Sequence, residues 1–502
     1  MEIEYGLCDK FLNMEYKYDL FSLKILNVNF WIYIREKIYC YILKNKGYIG
    51  DSFTNVKNIT KRSENIIYKL FFMGGLKYCC NKKLKKVKNK EILIFTHPRR
   101  LLNNEIYECT VMDYFLSEIP YEYIVMEEPM WIDDASQKIS HYIPAKSEHL
   151  YYSDYIELAF EFKYKFIKNT KFFLLSKEEK LILKSLIDII ENTFKIKIKR
   201  SFFGKMCVKF ALYEKYTYSS YEKLLKKIKP KIILEYYSPI RTKQLVNRVA
   251  HKQNILVIDL QHGMFGRNEP LMANYKKTNN LDNYPDYIFT FGDYWNHKAR
   301  FPLSYDRIIS CGYPYFDFQK FKLEKKYIAN RNTIVFYSQG KIGIKLSKLA
   351  SELASLFEKN KIEISIIYKT HPFEHNKWKI EYPWLNKKNI IVVDNNVDIY
   401  SLMESCICVV GVYTTSLYES LAIGMPTIIY KDYGYRELTD LKKLSNKLFF
   451  VNNAKELFDV IRKDKFDYDV DNVISDYLFK TNSKSNLVEQ IKILLEKQEN
   501  NS

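Results

Sequence analysis

The sequence predicts an α/β protein: two Rossmann-like domains facing a cleft, with a helical N-terminal extension. Three observations lead there. From Glu91 onward, short apolar segments alternate with longer amphipathic ones, the pattern of parallel βα units. The alternation breaks once, at the charged, strand-poor stretch 318–332 (FQKFKLEKKYIANRN), and then resumes. A chain of 502 residues with 47% hydrophobic content exceeds one ordinary domain and can fill two cores.

Residues 1–90 read as a helical, basic region. Phe30, Ile34, Ile38 and Ile42 recur at helical spacing on one stripe, which points to core packing. The stretch Leu20 to Leu43 is broken by Lys24, Asn27, Asn29, Arg35, Glu36 and Lys37, so it does not read as a plain membrane-spanning helix. The acidic start MEIEYGLCDK has no signal-peptide character. The nine cysteines form no C-x-x-C pair and read as reduced core thiols, Cys406 and Cys408 on one strand face, with no structural zinc. Together these predict a soluble, cytoplasmic protein.

The first Rossmann-like domain is expected over 91–328. Its strands are Ile92–Thr96, Tyr123–Met126, Ile232–Tyr236, Ile255–Leu260, Tyr287–Phe291 and Arg307–Cys311; its helices are 178–193, 213–228 and 242–252. Residues 128–176 are aromatic-rich without a period and read as an insertion beside the sheet. The second domain is expected over 329–470, with strands Thr333–Tyr337, Glu363–Tyr368, Asn389–Val393, Cys406–Val410, Thr427–Tyr430 and Leu448–Val451. A C-terminal helix within 471–502, near Asn486–Lys497, is expected to pack back on the first domain.

The formal net charge of +20 raises three partners: nucleic acid, an anionic membrane surface, or anionic substrates. No helix-turn-helix, zinc-finger or RNP pattern accompanies the charge, which speaks against nucleic acid. Among functional readings, peripheral contact with the inner face of the plasma membrane is preferred, where a lipid-linked acceptor would be presented.

The densest signal is residues 406–430, CICVVGVYTTSLYESLAIGMPTIIY. A strand runs through Gly411 into the hydroxyls Thr414, Thr415 and Ser416, and a helix follows as far as Gly424-Met425-Pro426. Unpaired N–H groups, the positive end of the helix dipole and hydroxyl donors converge there on an anion site. Ser416 and Glu419 also fit a capping box, and capping by Ser416 is compatible with Thr414 and Thr415 facing a ligand. Two strand ends add histidines. Tyr368-Lys369-Thr370-His371-Pro372 ends a strand of the second domain, where His371 and Lys369 could meet a leaving phosphate. Gln261-His262-Gly263 ends a strand of the first, where His262 is a candidate base and a structural turn is the equal alternative. Ser338-Gln339-Gly340 could offer backbone N–H groups to a nucleotide. Glu127-Glu128-Pro129 offers a rival carboxylate base, and Arg99 or Arg100 an anionic-acceptor contact. Asp133-Asp134 is the nearest carboxylate pair and sits in the insertion.

Glu419-Ser-Leu-Ala-Ile-Gly424-Met-Pro426 resembles the E-A-x-A-x-G-x-P segment of GT-B glycosyltransferases. The resemblance implies that Glu419 binds the donor ribose and that Thr414, Thr415 and Ser416 hold its phosphates. The K-x-H-P segment resembles bacterial polysialyltransferases, glycerol-phosphate polymerases and capsule polysaccharide transferases, whose His contacts the donor phosphate. The Q-H-G segment resembles capsule and surface-carbohydrate biosynthesis proteins, implying His262 as catalytic base and Gln261 beside the acceptor. Met264-Phe265-Gly266-Arg267 replaces the T-P-L-K of the glycerol-phosphate polymerases. Pro285-Asp286 through Trp295, and Cys311-Gly312-Tyr313-Pro314, resemble further segments of that group. The resemblance implies a glycosyltransferase of surface glycan synthesis, with a nucleotide-sugar as co-substrate and no cofactor; an inverting, metal-independent reaction is expected, inversion following from His262 acting as a true base. Cationic side chains and a helix dipole are expected to hold the pyrophosphate in place of a metal. A nucleotide-sugar 2-epimerase of the same fold and a non-catalytic scaffold of a polysaccharide assembly complex remain open alternatives.

Overall fold

The computed structural model describes residues 2–48, 87–96, 100–128, 141, 144–147, 149–167, 174–267, 274–276, 281–324, 332–340, 342–371, 374, 377–394, 397–463, 466 and 469–500. Two parallel sheets dominate. The first contains β1 (Ile92–Thr96), β2 (Tyr123–Glu127), β3 (Leu150–Tyr152), β4 (Ile232–Tyr236), β5 (Leu256–Leu260), β6 (Tyr287–Thr290) and β7 (Ile308–Ser310), in the order β7-β6-β5-β4-β1-β2-β3. The second contains β8 (Thr333–Tyr337), β9 (Ser365–Lys369), β10 (Ile390–Val393), β11 (Cys406–Gly411), β12 (Thr427–Tyr430) and β13 (Leu448–Val451), in the order β10-β9-β8-β11-β12-β13. Every pairing within both sheets is parallel. Each sheet therefore grows outward from its first strand in both directions, the doubly wound order. Its switch point falls between β1 and β4 in the first domain and between β8 and β11 in the second. Ligands of such sheets bind at the carboxyl ends beside that point. This is a two-domain α/β fold of the GT-B kind.

The strands form because their residues are apolar on both faces: β1 (ILIFT) and β4 (IILEY) are buried throughout, as a sheet covered by helices on both sides requires. The helices that concern the site are α1 (Glu2–Lys17), α2 (Trp31–Asn45), α3 (Asp154–Ile167), α4 (Lys177–Phe194), α5 (Arg200–Ile228), α6 (Arg241–His251), α7 (Pro314–Glu324), α8 (Gly343–Lys359), α9 (Ile399–Ser405), α10 (Thr415–Ala422), α11 (Ala454–Lys463), α12 (Asn472–Leu478) and α13 (Ser483–Asn500). The stripe Phe30, Ile34, Ile38 and Ile42 of the N-terminal region is fully buried in the core.

Two expectations need correction. Residues 128–176 do more than lie beside the sheet. Leu150–Tyr152 pairs in parallel with β2 as its edge strand, and α3 follows. A three-residue, half-exposed edge strand carries no periodic signal. The stretch 318–332 is not linker from its start, because α7 runs to Glu324.

After the second sheet the chain crosses back. Lys480 N–H donates to Phe291 O at 2.7 Å, Trp295 Nε1 donates to Leu478 O at 2.8 Å, and Ser483 N–H donates to Asp317 Oδ2 at 3.0 Å. Gly312 makes the approach possible. Its φ is +96°, and a Cβ there would lie 2.3 Å from Lys480 O. Helix α13 then buries Leu487, Ile491, Leu494 and Leu495 in one cluster with Ile92, Ile94, Ile232 and Leu234 of the first sheet. Among the described residues, no helix is long and apolar enough to cross a membrane.

Candidate active site

The turn after β11 carries Thr414 at the cap of α10, in extended conformation (φ −71°, ψ 151°) and without a side-chain cap bond. The helix starts at Thr415. Ser416 is thus in its first turn and Glu419 beyond it, so the capping box does not form. A helix leaves its first N–H groups without partners inside the helix, and they point at the turn. Thr414, Thr415 and Ser416 are all half-buried there.

The first domain meets this helix end directly. Met264 N–H donates to Thr415 Oγ1 at 3.0 Å, and a Cβ on Gly263 would lie 3.6 Å from the same oxygen. The Gln-His-Gly turn of one domain and the hydroxyl turn of the other are therefore neighbours, although 151 residues separate Met264 from Thr415. The turn is shaped by Gln261, whose Oε1 accepts from Phe291 N–H at 2.7 Å and whose Nε2 donates to Gly263 O at 2.8 Å. The expected acceptor contact of Gln261 is corrected here: its buried amide is taken up by backbone. The half-buried His262 ring packs 4.7 Å from that of Tyr237, a residue held at φ +53°.

Glu419 lies under the hydroxyl turn. It is 5% exposed, and its Oε2 has no hydrogen-bond partner. Burial pushes its carboxyl up to about 7, the Tyr400 hydroxyl opposes the rise and the charge of Asp398 adds to it. Tyr313 and Tyr337 also feel its charge, so tyrosines from both halves of the molecule surround it. A buried carboxylate oxygen without a donor is costly unless something supplies one.

The second strand end and the loop after β8 are welded together by Glu374, which the sequence reading missed. Its Oε2 accepts from His371 N–H at 2.7 Å, and its Oε1 accepts from Ser338 Oγ at 3.0 Å and Tyr382 OH at 2.8 Å. Ser338 N–H also donates to Lys369 O at 3.0 Å. Burial raises the Glu374 carboxyl, and these hydrogen bonds hold it back. Gly343 is packed so closely that a Cβ would lie 2.0 Å from Glu374 Oε1, whereas one on Gly340 would meet nothing within 4 Å. Gln339 Oε1 is buried without a partner. Lys369 Nζ donates to Asp394 O at 2.8 Å and Val397 O at 2.9 Å, pinning the loop after β10, and burial lowers its pKa. His371 is half-buried at the strand end, and Pro372 lies outside the described residues.

Arg100 is the other correction. Its side chain is fully buried and donates to Glu127 (Nε, 2.9 Å), Asp113 and Ser147 (Nη1, 3.1 and 3.0 Å). Glu127 also meets His141, whose Nε2 lies 2.8 Å from Asp154 Oδ2. Arg100 thus neutralises a buried acid cluster and presents nothing to an acceptor, and Glu127 is locked between Arg100 and His141. Glu128 is paired with buried Lys243 at 2.9 Å. Arg99 and Asp133-Asp134 lie outside the described residues.

The profile of the LIC12162 family transferases matches residues 126–449, from the end of β2 to the start of β13, which includes the segments 261–263, 338–340, 369–371 and 414–419. The chain belongs to that transferase family. No curated protein matches it. Among solved structures it is similar to the UDP-GlcNAc 2-epimerase of Methanocaldococcus jannaschii, at 13% identity over 80% of this chain and 98% of that one, with a TM-score of 0.46. The UDP-GlcNAc 2-epimerase of Neisseria meningitidis bound to UDP-GlcNAc matches at 13% identity over 81% and 99%, with a TM-score of 0.43. The wall teichoic acid polymerase TagF matches at 12% identity over 89% and 98%, with a TM-score of 0.41.

Proposed function

We propose that this LIC12162 family transferase is an inverting glycosyltransferase that moves a sugar from a nucleotide-sugar donor to a growing capsule or other surface glycan. The observation that carries the reading is the Met264 N–H to Thr415 Oγ1 hydrogen bond, which brings the His262 turn to the N-terminus of α10. An acceptor hydroxyl at that seam would attack the anomeric carbon while His262 removes its proton. The bond from that carbon to the diphosphate breaks, and the charge left on the phosphate falls to the α10 N-terminus, Thr414, Thr415, Ser416 and His371. Ser338, Gln339 and Gly340 line the neighbouring strand end, and Lys369 supports it. Glu419 accepts from the ribose hydroxyls, which gives its orphaned Oε2 a donor.

The 2-epimerase alternative gains nothing from the first domain, where Glu127 and Asp154 are already bound to Arg100 and His141. The test is thermal shift against UDP, CDP and CMP, followed by donor hydrolysis and transfer with the best binder. One nucleotide should stabilise the chain and Glu419→Ala should reduce the shift. Equal melting with every nucleotide and with none would sink the reading.

A further inference from the structure

Helix α3 carries a second apolar stripe beside its buried one. Ile156 and Phe160 face inward and are 1% exposed. On the adjacent side Tyr155, Ala159, Phe162 and Phe166 recur at spacings of four, three and four, the rhythm of a second apolar stripe. Phe162 is 53% exposed and Phe166 68%, and their rings meet edge to face at 5.0 Å.

The direction of this stripe follows from α5. The Phe160 ring lies 5.0 Å from that of Tyr213, and Lys209 Nζ lies 5.1 Å from the Tyr164 ring, so the two helices run antiparallel. The end of α3 and the start of α5 are consequently at the same end. Helix α5 is 29 residues long, about 43 Å at ~1.5 Å per residue, and finishes at the amino edge of the first sheet, where Lys90 N–H donates to Ile228 O. Helix α3 starts at the opposite, carboxyl edge, where Ser153 N–H donates to Glu127 O at 3.0 Å. Both helices therefore project past the carboxyl edge of the sheet, the edge that also carries His262. Phe202, 57% exposed, is in the first turn of α5.

The charge at this tip is predominantly positive. Residues 162–167 contain two Lys or Arg and residues 195–209 contain six, with no Asp or Glu in either. Lys163, Lys165, Arg200 and Lys205 are exposed. The nearest acids are matched, Glu161 by Lys209 at 3.6 Å and Asp188 by Arg200 at 3.9 Å. Exposed aromatics on a surface with an excess of cations are the chemistry that inserts at the headgroup layer of an anionic bilayer.

We infer that the paired tips of α3 and α5, carrying Phe162, Phe166 and Phe202 among Lys163, Lys165 and Lys205, dock the protein on an anionic membrane surface. The docking orients the carboxyl edge of the first sheet toward the bilayer. The inference stands on these helices alone and holds whatever the nucleotide site binds.

The test is co-sedimentation of the full chain with vesicles of phosphatidylcholine alone and with about a third phosphatidylglycerol. Wild type is expected to bind the anionic vesicles about tenfold or more tightly, with the preference falling as salt rises. Phe162→Ser/Phe166→Ser/Phe202→Ser and Lys163→Glu/Lys165→Glu/Lys205→Glu are each expected to lose most of that binding while keeping the wild-type melting temperature. Absence of wild-type binding, or undiminished binding by both variants, would overturn the inference. So would a fall in melting temperature or a halved sedimentation mass in the triple-serine protein, since another part of the chain or a second copy would then cover the rings.

Discussion

Glu419 is the residue on which the proposed donor site turns, because burial has left it poised. Its carboxyl is pushed up to about 7, so near neutral pH it is divided between acid and carboxylate. Ribose hydroxyls are donors and favour the carboxylate, so nucleotide affinity should strengthen as pH rises through about 7 and weaken below it. The effect on stability has the opposite sign. Between the ordinary carboxylate range and 7, the unfolded chain is ionised at this position and the folded chain is not, so ligand-free stability falls as pH climbs through that window and levels off above it. Glu419→Gln should flatten both dependences, and calorimetric titration of the preferred nucleoside diphosphate from pH 5.5 to 8.5 checks the first. Glu419→Ala should weaken binding roughly ten- to a hundredfold, the worth of hydrogen bonds to a charged group. His262 is distinguished by a different signature. His262→Ala should lower kcat by about 10²–10⁴ with donor Kd unchanged, as expected for a base outside the nucleotide contacts. A loss of donor affinity matching the loss of kcat would place the ring in binding and not in proton transfer.

The elements around the site show how far a sequence can be read. Strands of a doubly covered parallel sheet are continuous apolar runs, which is why β1, β4, β8, β12 and β13 are legible to the residue. The first half of α5 was not legible, because its apolar residues serve several packing partners: Phe210 packs on Tyr33 of α2 while Tyr213 packs on Phe160 of α3. The strand–turn–helix at Gly411–Ser416 was legible as a strand, turn and helix start, yet the hydrogen bond that gives Thr415 its place comes from a residue 151 positions away. Glu374 was missed for the same reason, since its partner Ser338 is 36 residues distant. The tyrosines around Glu419 carried no signal among 43. That Glu374 junction makes a test at its own scale. Gly343→Ala drives a Cβ into Glu374 Oε1 and the Tyr382 hydroxyl, which are fixed by three hydrogen bonds, so it should cost about 1–3 kcal/mol in urea denaturation. Gly340→Ala, in open space three residues earlier, should be close to neutral.

At the scale of the molecule, the candidate site exists only while the two domains hold one seam, and a polar part of that seam centres on Glu437. The Glu437 carbonyl accepts from Tyr294 OH at 3.0 Å, Tyr418 OH at 3.2 Å and Lys298 Nζ at 2.7 Å, and its side-chain Oε2 accepts from Arg267 N–H at 3.2 Å. Lys298 adds an ion pair to Asp440 at 2.7 Å. Tyr294, Lys298 and Arg267 belong to the first domain and Tyr418, Glu437 and Asp440 to the second, so Lys298→Met cuts the seam without touching either Glu419 or His262. The core strap is separable from it. Leu494 of α13 is 4% exposed against the first sheet, and Leu494→Ala should cost about 2–5 kcal/mol through the cavity it leaves. The two variants should therefore divide the properties of the enzyme. Leu494→Ala should lower the melting temperature and leave turnover per folded molecule intact, because the seam is whole. Lys298→Met should change stability less, keep nucleotide affinity, which the proposed function assigns to the second domain, and reduce transfer, because the His262 turn no longer sits firmly on Thr415. Parallel measurements of melting temperature, nucleotide Kd and kcat on both proteins decide the matter. A Lys298→Met enzyme with wild-type kcat would mean that the seam closes without the lysine.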